Sequence, residues 1–434
     1  MLSESQERML LIAARGRQEE IKKVFSKWEL DAVEIGHVTD DGILRVKIGG
    51  RVVAEVPVSA LADEAPVYEK RTSRPEWLDG LEAFDPLSLP APLDLAVTLL
   101  ALMGSPAVAS KEWVYRQYDQ QVGINTLVMP GSDAGVLRIK GTRKAVAVTT
   151  DCNARFVYLN PRLGSAMAVA EAARNLAVTG ARPLGLTDCL NFGSPERPEI
   201  LWQFKEAVAG IAEACRALDI PVVGGNVSFY NETMGQAILP TPVIGMAGLI
   251  DEAESRRTQW FESEGDRIAL LGPEVVSLGG SEFLWAIHGK MAGRLAPLDL
   301  QQERRVHEAC RAAIAAGLVR GAHDCSEGGL AVTLAESCVS GPKPIGASVE
   351  LERDGRRADL VLFGEGPSRV VVSVPPEGER HFERLMGEFA LPWRWIGRVG
   401  GGALVVTWGG AVAIAAPLDR MAHAWRAGFE RHVA

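Results

Sequence analysis

Two short stretches carry the residue types that phosphate and metal chemistry uses. One is Leu186-Thr187-Asp188-Cys189-Leu190-Asn191-Phe192-Gly193, the other Pro221-Val222-Val223-Gly224-Gly225-Asn226-Val227-Ser228. A glycine pair lets backbone N–H groups approach a phosphate, while the Asp188 carboxylate and the Asn226 amide offer the hard oxygens that magnesium prefers. No Gly-x-x-x-x-Gly-Lys-Ser/Thr run occurs, so this is not a Walker loop. On spacing alone a plainer reading stays open, in which Gly224 and Gly225 make a turn, Asp188 caps a helix and Asn226 satisfies its own loop.

Each stretch is a short apolar run ending in small and polar residues, as a buried strand does where it reaches a sheet edge. Between them Ile200, Leu201, Phe204, Val208, Ile211, Cys215 and Leu218 recur at three and four residues, which predicts one amphipathic helix. Pro195 and Pro198 sit at its start, where a missing N–H costs least. Strand, helix, strand brings Asp188 and Asn191 near Gly225, Asn226 and Ser228. Further strands are expected at 135–140, 144–150 and 267–271, a turn at Pro130-Gly131-Ser132-Asp133, and a helix at 302–316 stopped by Gly317. In His323-Asp324-Cys325-Ser326-Glu327-Gly328-Gly329-Leu330, Asp324 and Glu327 suit a helix start near a charged ligand, or plain capping.

The wording of several stretches goes further. Thr149-Thr150-Asp151, the 168–180 run ending in Ala181-Arg182-Pro183, Thr187 to Pro195, and Gly224-Gly225-Asn226-Val227-Ser228 closely resemble the phosphoribosylformylglycinamidine synthases of the AIR synthase-like superfamily. The resemblance covers nearly the whole chain and implies an α+β or α/β fold of AIR synthase-like N-type and C-type domains. It implies a ligase that uses ATP and Mg2+ to phosphorylate the amide oxygen of formylglycinamide ribonucleotide, after which ammonia displaces phosphate to give the amidine. A glutaminase subunit supplying ammonia and a small accessory subunit are the implied partners. Carried over by residue, it puts Asp188 and Gly225 on ATP, Asn226 on the metal, and Ser228 with Glu4, Ser5 and Gln6 on the substrate. Asp133 and Asp151 are weaker candidates near a nucleotide. The family's catalytic histidines, ATP-contacting lysine and acidic magnesium ligands find no match, since none of the seven histidines sits in such a motif.

Composition bounds the reading without deciding it. Of 434 residues, 47% are hydrophobic and 23% charged, which suits a well-cored chain of two or three domains. A net charge of −9 gives no general attraction to nucleic acid or to an anionic membrane. The six cysteines lack metal-site spacing and read as reduced thiols, and the longest apolar run, 95–103, is shorter than the roughly 18 residues a membrane span needs. A cytoplasmic location is expected.

The chain also repeats itself. Glu365 lies 361 residues after Glu4, and Arg369 lies 361 after Arg8. Ile21, Val24, Phe25, Trp28 and Leu30 match Phe382, Leu385, Met386, Phe389 and Leu391 at that offset, and Ile35-Gly36 matches Ile396-Gly397. After a slip of one, Gly49-Gly50 and Pro57 match Gly409-Gly410 and Pro417. A tandem duplication is therefore expected, with the first copy truncated and roughly 250 of its residues placed upstream. The expected division is the end of the first C-type domain over 1–64, a proline-rich linker over 65–111 holding one short helix, an N-type ATP-binding domain over 112–255 and a second C-type domain over 256–434. Gly366-Pro367 stands where the first copy has Ser5-Gln6, so one substrate site is expected per pair of copies.

Within the superfamily, AIR synthase, thiamine-phosphate kinase and selenophosphate synthetase share the fold without the reaction. The two long motifs and the duplication favour the amidine-forming ligase over these. A reading of another class is a non-catalytic nucleotide-holding or assembly half that depends on the remainder of the protein for activity.

Overall fold

The computed structural model describes residues 8–433, which fall into two compact units, one up to Glu69 and one from Lys70 onward. The first unit holds helix α1 (Gln18–Ser26), the hairpin β1 (Ile43–Ile48) and β2 (Arg51–Pro57), and the single turn α2 (Val58–Leu61). None of its described residues is buried, and Trp28, Val33, Ile35 and Val38 are among its exposed apolar side chains.

The second unit opens with α3 (Trp77–Glu82), α4 (Leu95–Met103) and α5 (Glu112–Tyr115). This is the stretch expected as a linker, and it differs in kind from one. Leu99, Leu102 and Met103 of α4 are fully buried in the core, and Asp94 caps the helix through Ala96 and Val97 N–H. Its prolines shape turns that other parts of the unit hold: Pro86 opens a 3-10 turn capped by Asp85, and Arg357 donates to the carbonyls of Leu87 at 2.7 Å and Leu89 at 2.8 Å.

A first layered body follows: β3 (Thr126–Val128), β4 (Gly135–Arg138), β5 (Ala145–Asp151), α6 (Ala154–Leu159), α7 (Pro161–Val178), β6 (Arg182–Asn191), α8 (Pro198–Leu218), β7 (Val222–Ser228), the two-residue pair β8 (Glu232–Thr233) and β9 (Gln236–Ala237), and β10 (Thr241–Ile250). Six strands form a sheet in the order β3-β4-β5-β10-β6-β7, with β7 at an edge. Only β6 and β7 run parallel, as the intervening α8 requires. Helices α7 and α8 cross closely, since a Cβ on Gly210 would stand 2.0 Å from the Arg162 carbonyl oxygen. Alternation along β10 buries Ile244, Met246 and Ile250 beneath these helices, while on the other face its residues are half-buried and Val148, Thr150 and Thr187 of the neighbouring strands are exposed, so that face is the more open one.

A second body comprises β11 (Arg267–Leu271), α9 (Glu282–His288), α10 (Leu300–Ala315), β12 (Gly321–Asp324), α11 (Gly329–Val339), β13 (Ala347–Leu351), α12 (Ala358–Phe363), β14 (Val370–Val374), α13 (Glu379–Glu388), β15 (Trp393–Val399), β16 (Ala403–Trp408), β17 (Ala411–Pro417), α14 (Leu418–Gly428) and α15 (Glu430–Val433). Its seven strands run β12-β14-β11-β15-β13-β16-β17. One apolar layer lies between the sheet and α11, α14 and α4; the other packs α10 and α13 through Val306, Ile314, Phe382 and Met386.

The hairpins of the two units match in detail. β16 and β17 lie 360 residues after β1 and β2 with identical lengths, and both hairpins carry an irregularity, at Val46/Lys47 and at Val406/Thr407. Their turns coincide too: Gly49 and Gly50 have φ of 56° and 80°, Gly409 and Gly410 have 58° and 81°. Such left-handed pairs are the two-residue hairpin turn that glycine makes without strain. The counterpart of β15, by contrast, is not a strand in residues 32–38. β15 lies between β11 and β13, and the first unit has no described partner strands of that kind.

Candidate functional site

Parallel pairing of β6 and β7 sets Asp188 opposite Gly225, Cys189 opposite Asn226 and Asn191 opposite Ser228. The motif residues thus meet side by side along two strands. Asp188 is no helix cap, and Asn226 lies within a strand, exposed, instead of closing a loop. Gly225 has φ 156°, and a Cβ there would lie 2.3 Å from Asp188 Oδ1, so only glycine admits this approach. Burial raises the Asp188 carboxyl above its ordinary pKa.

Strand pleating divides the set. Asp188 shares Ile244 as a cross-strand partner with Asp151, which puts both acids and Gly225 on the side of the sheet where the helices lie, with Gly225 itself exposed at the edge. Asn226 and Ser228 alternate onto the open face. The Asp188 and Asn226 side chains thus leave the paired strands on opposite sides. Ser228 Oγ is engaged locally, accepting from Asn231 Nδ2 at 3.1 Å. Glu4, Ser5 and Gln6 lie outside the described residues.

A second group of polar residues, largely unread from sequence, is buried where the two layered bodies meet. Arg174 of α7, 2% exposed, lies 2.7 Å from Glu303 Oε1, 3.3 Å from Asp324 Oδ2 and 3.5 Å from Glu171 Oε2. Ser368 Oγ donates to Glu303 at 2.5 Å and His307 Nε2 sits 2.7 Å away. Burial works against ionisation of Glu303, but Arg174 and His307 outweigh it and hold the pKa down to about 2. Asp324 goes the other way: burial pushes it up to about 6 although Arg174 is close. Burial, then neighbouring acids, raise Asp151 and Glu171 well above the carboxylate range. Neither Asp324 nor Glu327 caps α11, whose N-cap is Gly328 without a side-chain bond; Glu327 accepts from Asn153 at 3.1 Å.

One corner of this group suits a cation. Asp133, His323 and Asp324 each place one ligand atom within 4.8 Å of the others. Asp133, from the β3–β4 turn, has a side chain 3% exposed, and its Oδ2 is buried without a hydrogen-bond partner. An orphaned carboxylate oxygen beside a second buried carboxylate is the donor set that a hard divalent ion satisfies. His323 presents Nδ1 to Asp133 Oδ1 at 2.8 Å and Nε2 to Glu336 Oε2 at 3.2 Å. Burial opposes its protonation, yet Asp133 and Glu336 raise its pKa well above the usual imidazole value.

Nearby, a cavity of about 20 Å³, room for about one water, is lined by Phe156, Glu171, Arg174, Ser326, Glu327 and Glu365 among others. Glu365, the residue paired with Glu4 by the repeat, receives N–H bonds from Glu282 at 2.7 Å and Gly328 at 2.8 Å, joining the starts of α9 and α11. Sequence did hold a signal for this group: Glu171 and Arg174 stand one helical turn apart inside an alanine-rich run, and ionisable residues in a buried helix are kept in pairs.

Family models match both bodies: the AIR synthase related protein N-terminal domain over 131–250, and the C-terminal domain over 1–49 and again over 263–409. The chain belongs to the AIR synthase-related family. Within that class it falls with the PurL subunits of phosphoribosylformylglycinamidine synthase. It is 51% identical to the Moorella thermoacetica subunit over 98% of this chain and 58% of that one, and 48% identical to that of Anaeromyxobacter dehalogenans over 99% and 57%. The chain thus spans less than two thirds of the length of these relatives. Thermotoga maritima PurL has the same fold: TM-score 0.62 at 19% identity, over 77% of this chain and 54% of that one, for a complex with FGAR, and 0.60 at 19% identity, over 77% and 53%, for one with ATP.

Proposed function

We propose that this chain is part of a phosphoribosylformylglycinamidine synthase, an ATP-dependent C–N ligase of purine biosynthesis converting formylglycinamide ribonucleotide and ammonia to the amidine, ADP and phosphate. The observation carrying this reading is the β6–β7 register, which draws Asp188, Gly225, Asn226 and Ser228 of the two motifs together in a chain about half identical to subunits bearing that enzyme's name.

In this reading Asp188 and Gly225 support the nucleotide, and Asn226 and Ser228 the metal and substrate, where the two parallel strands run side by side at the sheet edge, joined by Glu4, Ser5 and Gln6. When bound, Mg2+ would neutralise charge on the ATP phosphates. The protein's own task is to hold amide and nucleotide in line and to aim neutral donors at the developing charge. Asp133 and Asp324 form a second place for a divalent cation. A glutaminase subunit would supply ammonia, and a small accessory subunit would complete the complex. Six free cysteines accord with a cytoplasmic location, as does the lack, among the described residues, of any helix long and apolar enough to cross a membrane.

Calorimetry with magnesium-ADP tests the nucleotide assignment. Asp188→Ala should weaken binding more than about tenfold, or ~1.4 kcal/mol. Equal affinity in the two proteins would remove Asp188 from the site. A reading in which the nucleotide only stabilises the fold rests on the same residues, and differs in predicting ligand-dependent melting without substrate-dependent ADP release.

A further inference from the structure

His323 occupies an unusual position for a residue close to a candidate cation site. Both ring nitrogens face carboxylate oxygens, Asp133 Oδ1 at 2.8 Å and Glu336 Oε2 at 3.2 Å. Carboxylate oxygens accept hydrogen bonds and do not donate them. A ring nitrogen that donates to Asp133 has no lone pair left for a metal. Glu336 is fixed in turn, because its Oε1 accepts from Trp425 Nε1 at 3.2 Å. The chain Trp425, Glu336, His323, Asp133 thus runs from helix α14, through α11 and the end of the edge strand β12, to the β3–β4 turn of the other body. Only Asp133 Oδ2 at its far end lacks a partner.

We propose that His323, held by Glu336 and Trp425, is a positioning residue: it fixes the Asp133 carboxylate so that Oδ2 is presented to a divalent cation shared with Asp324, and is not itself a ligand. This rests on the reading of Asp133 and Asp324 as a cation site. Hydrogen bonds to ligating carboxylates set their orientation, and their loss commonly lowers metal affinity ~10–100-fold. The arrangement also gives the last long helix of the chain a direct line to the ion, since Trp425 is 8% exposed and packs in the core beneath α11.

Mn2+ is the probe, bound to the full chain and followed by electron paramagnetic resonance, with the signal assigned to this cluster by its loss in Asp133→Asn. Pulsed spectra of the wild type should contain no coupling from a directly coordinated nitrogen. His323→Leu should weaken Mn2+ binding ~10-fold or more, whereas His323→Asn, whose amide N–H can reach Asp133 in place of Nδ1, should stay within about threefold of wild type. A coordinated imidazole nitrogen, unaltered affinity in His323→Leu, or equal losses in both variants would overturn the positioning role while leaving the cation site standing. Failure of the wild type to bind Mn2+, or a number of bound Mn2+ ions and a spectrum unchanged in Asp133→Asn, would overturn the cation site and the role with it.

Discussion

Glu365 illustrates how far a single side chain can be read once its surroundings are known. Buried in the second body and bonded by two backbone N–H groups, its carboxyl is pushed up to about 8, by burial first and by the nearby Glu327 second. A carboxyl with a folded pKa above its unfolded value contributes stability that is fully present below about 4.5 and is lost as pH rises toward about 8. Glu365→Gln keeps an oxygen for both N–H donors and cannot ionise. Melting temperatures measured between pH 5 and pH 9 should therefore show the wild type losing ground to the variant as pH rises, by a few kcal/mol at most; parallel curves would mean that Glu365 does not titrate in this range. Sequence paired Glu365 with Glu4 through the repeat, yet its two donors come from residues 37 and 83 positions away. The motif residues Asp188, Gly225, Asn226 and Ser228 were legible because they are local runs. The ion-paired group around Arg174 was legible only in fragments, Asp324 in its motif and Glu171 with Arg174 on one helix, because Glu303 and Asp324 meet α7 from α10 and β12 only through packing of the two bodies.

At the scale of elements, periodicity served best where one face is buried. The helix read from Ile200 to Leu218 is α8, and the strand read at 267–271 is β11. Prolines between 65 and 111 read as a linker, and the short helix expected within it is present as α4, but its apolar residues are core. The clearest element-level comparison is between the two hairpins, since they share lengths, irregularity and turn but not surroundings. β16 and β17 pair within seven strands and bury Leu404, Val406 and Ile414; β1 and β2 form a two-stranded sheet on which Leu44, Ile48, Val52 and Val53 are exposed. An isolated hairpin is marginal in water, and protection tracks burial and local contact. Amide exchange followed by mass spectrometry should find β1–β2 exchanging at least about a hundredfold faster than β16–β17, a gap of ~2.7 kcal/mol or more in opening free energy. Similar protection would mean that the first hairpin is held by contacts beyond its own unit.

For the molecule as a whole, the open face of the six-stranded sheet decides what the chain can do alone. Asn226 and Ser228 lie on that face, at the strand that forms its edge. Asn226 is exposed there and Ser228 is half-buried. A site for phosphoryl transfer has to exclude water and surround the developing charge on several sides, whereas an open sheet supplies one wall. The relatives at about 50% identity are longer than the part this chain matches, which amounts to 57–58% of them. The proposed function assigns the remaining walls to that additional length, together with the catalytic histidine and ATP-contacting lysine that the family resemblance implies and no motif here matches. Positioning without them leaves most of the rate enhancement unrealised. Incubated alone with ATP, Mg2+, ammonia and formylglycinamide ribonucleotide, the chain should release ADP at less than about one hundredth of the rate reached when a polypeptide covering the rest of a relative's length is added, a barrier difference of ~2.7 kcal/mol or more. A coupled ADP-release assay measures both rates in one experiment. Full turnover without the added polypeptide would mean that this chain already contains the general base, and its assignment to the additional length would have to be abandoned.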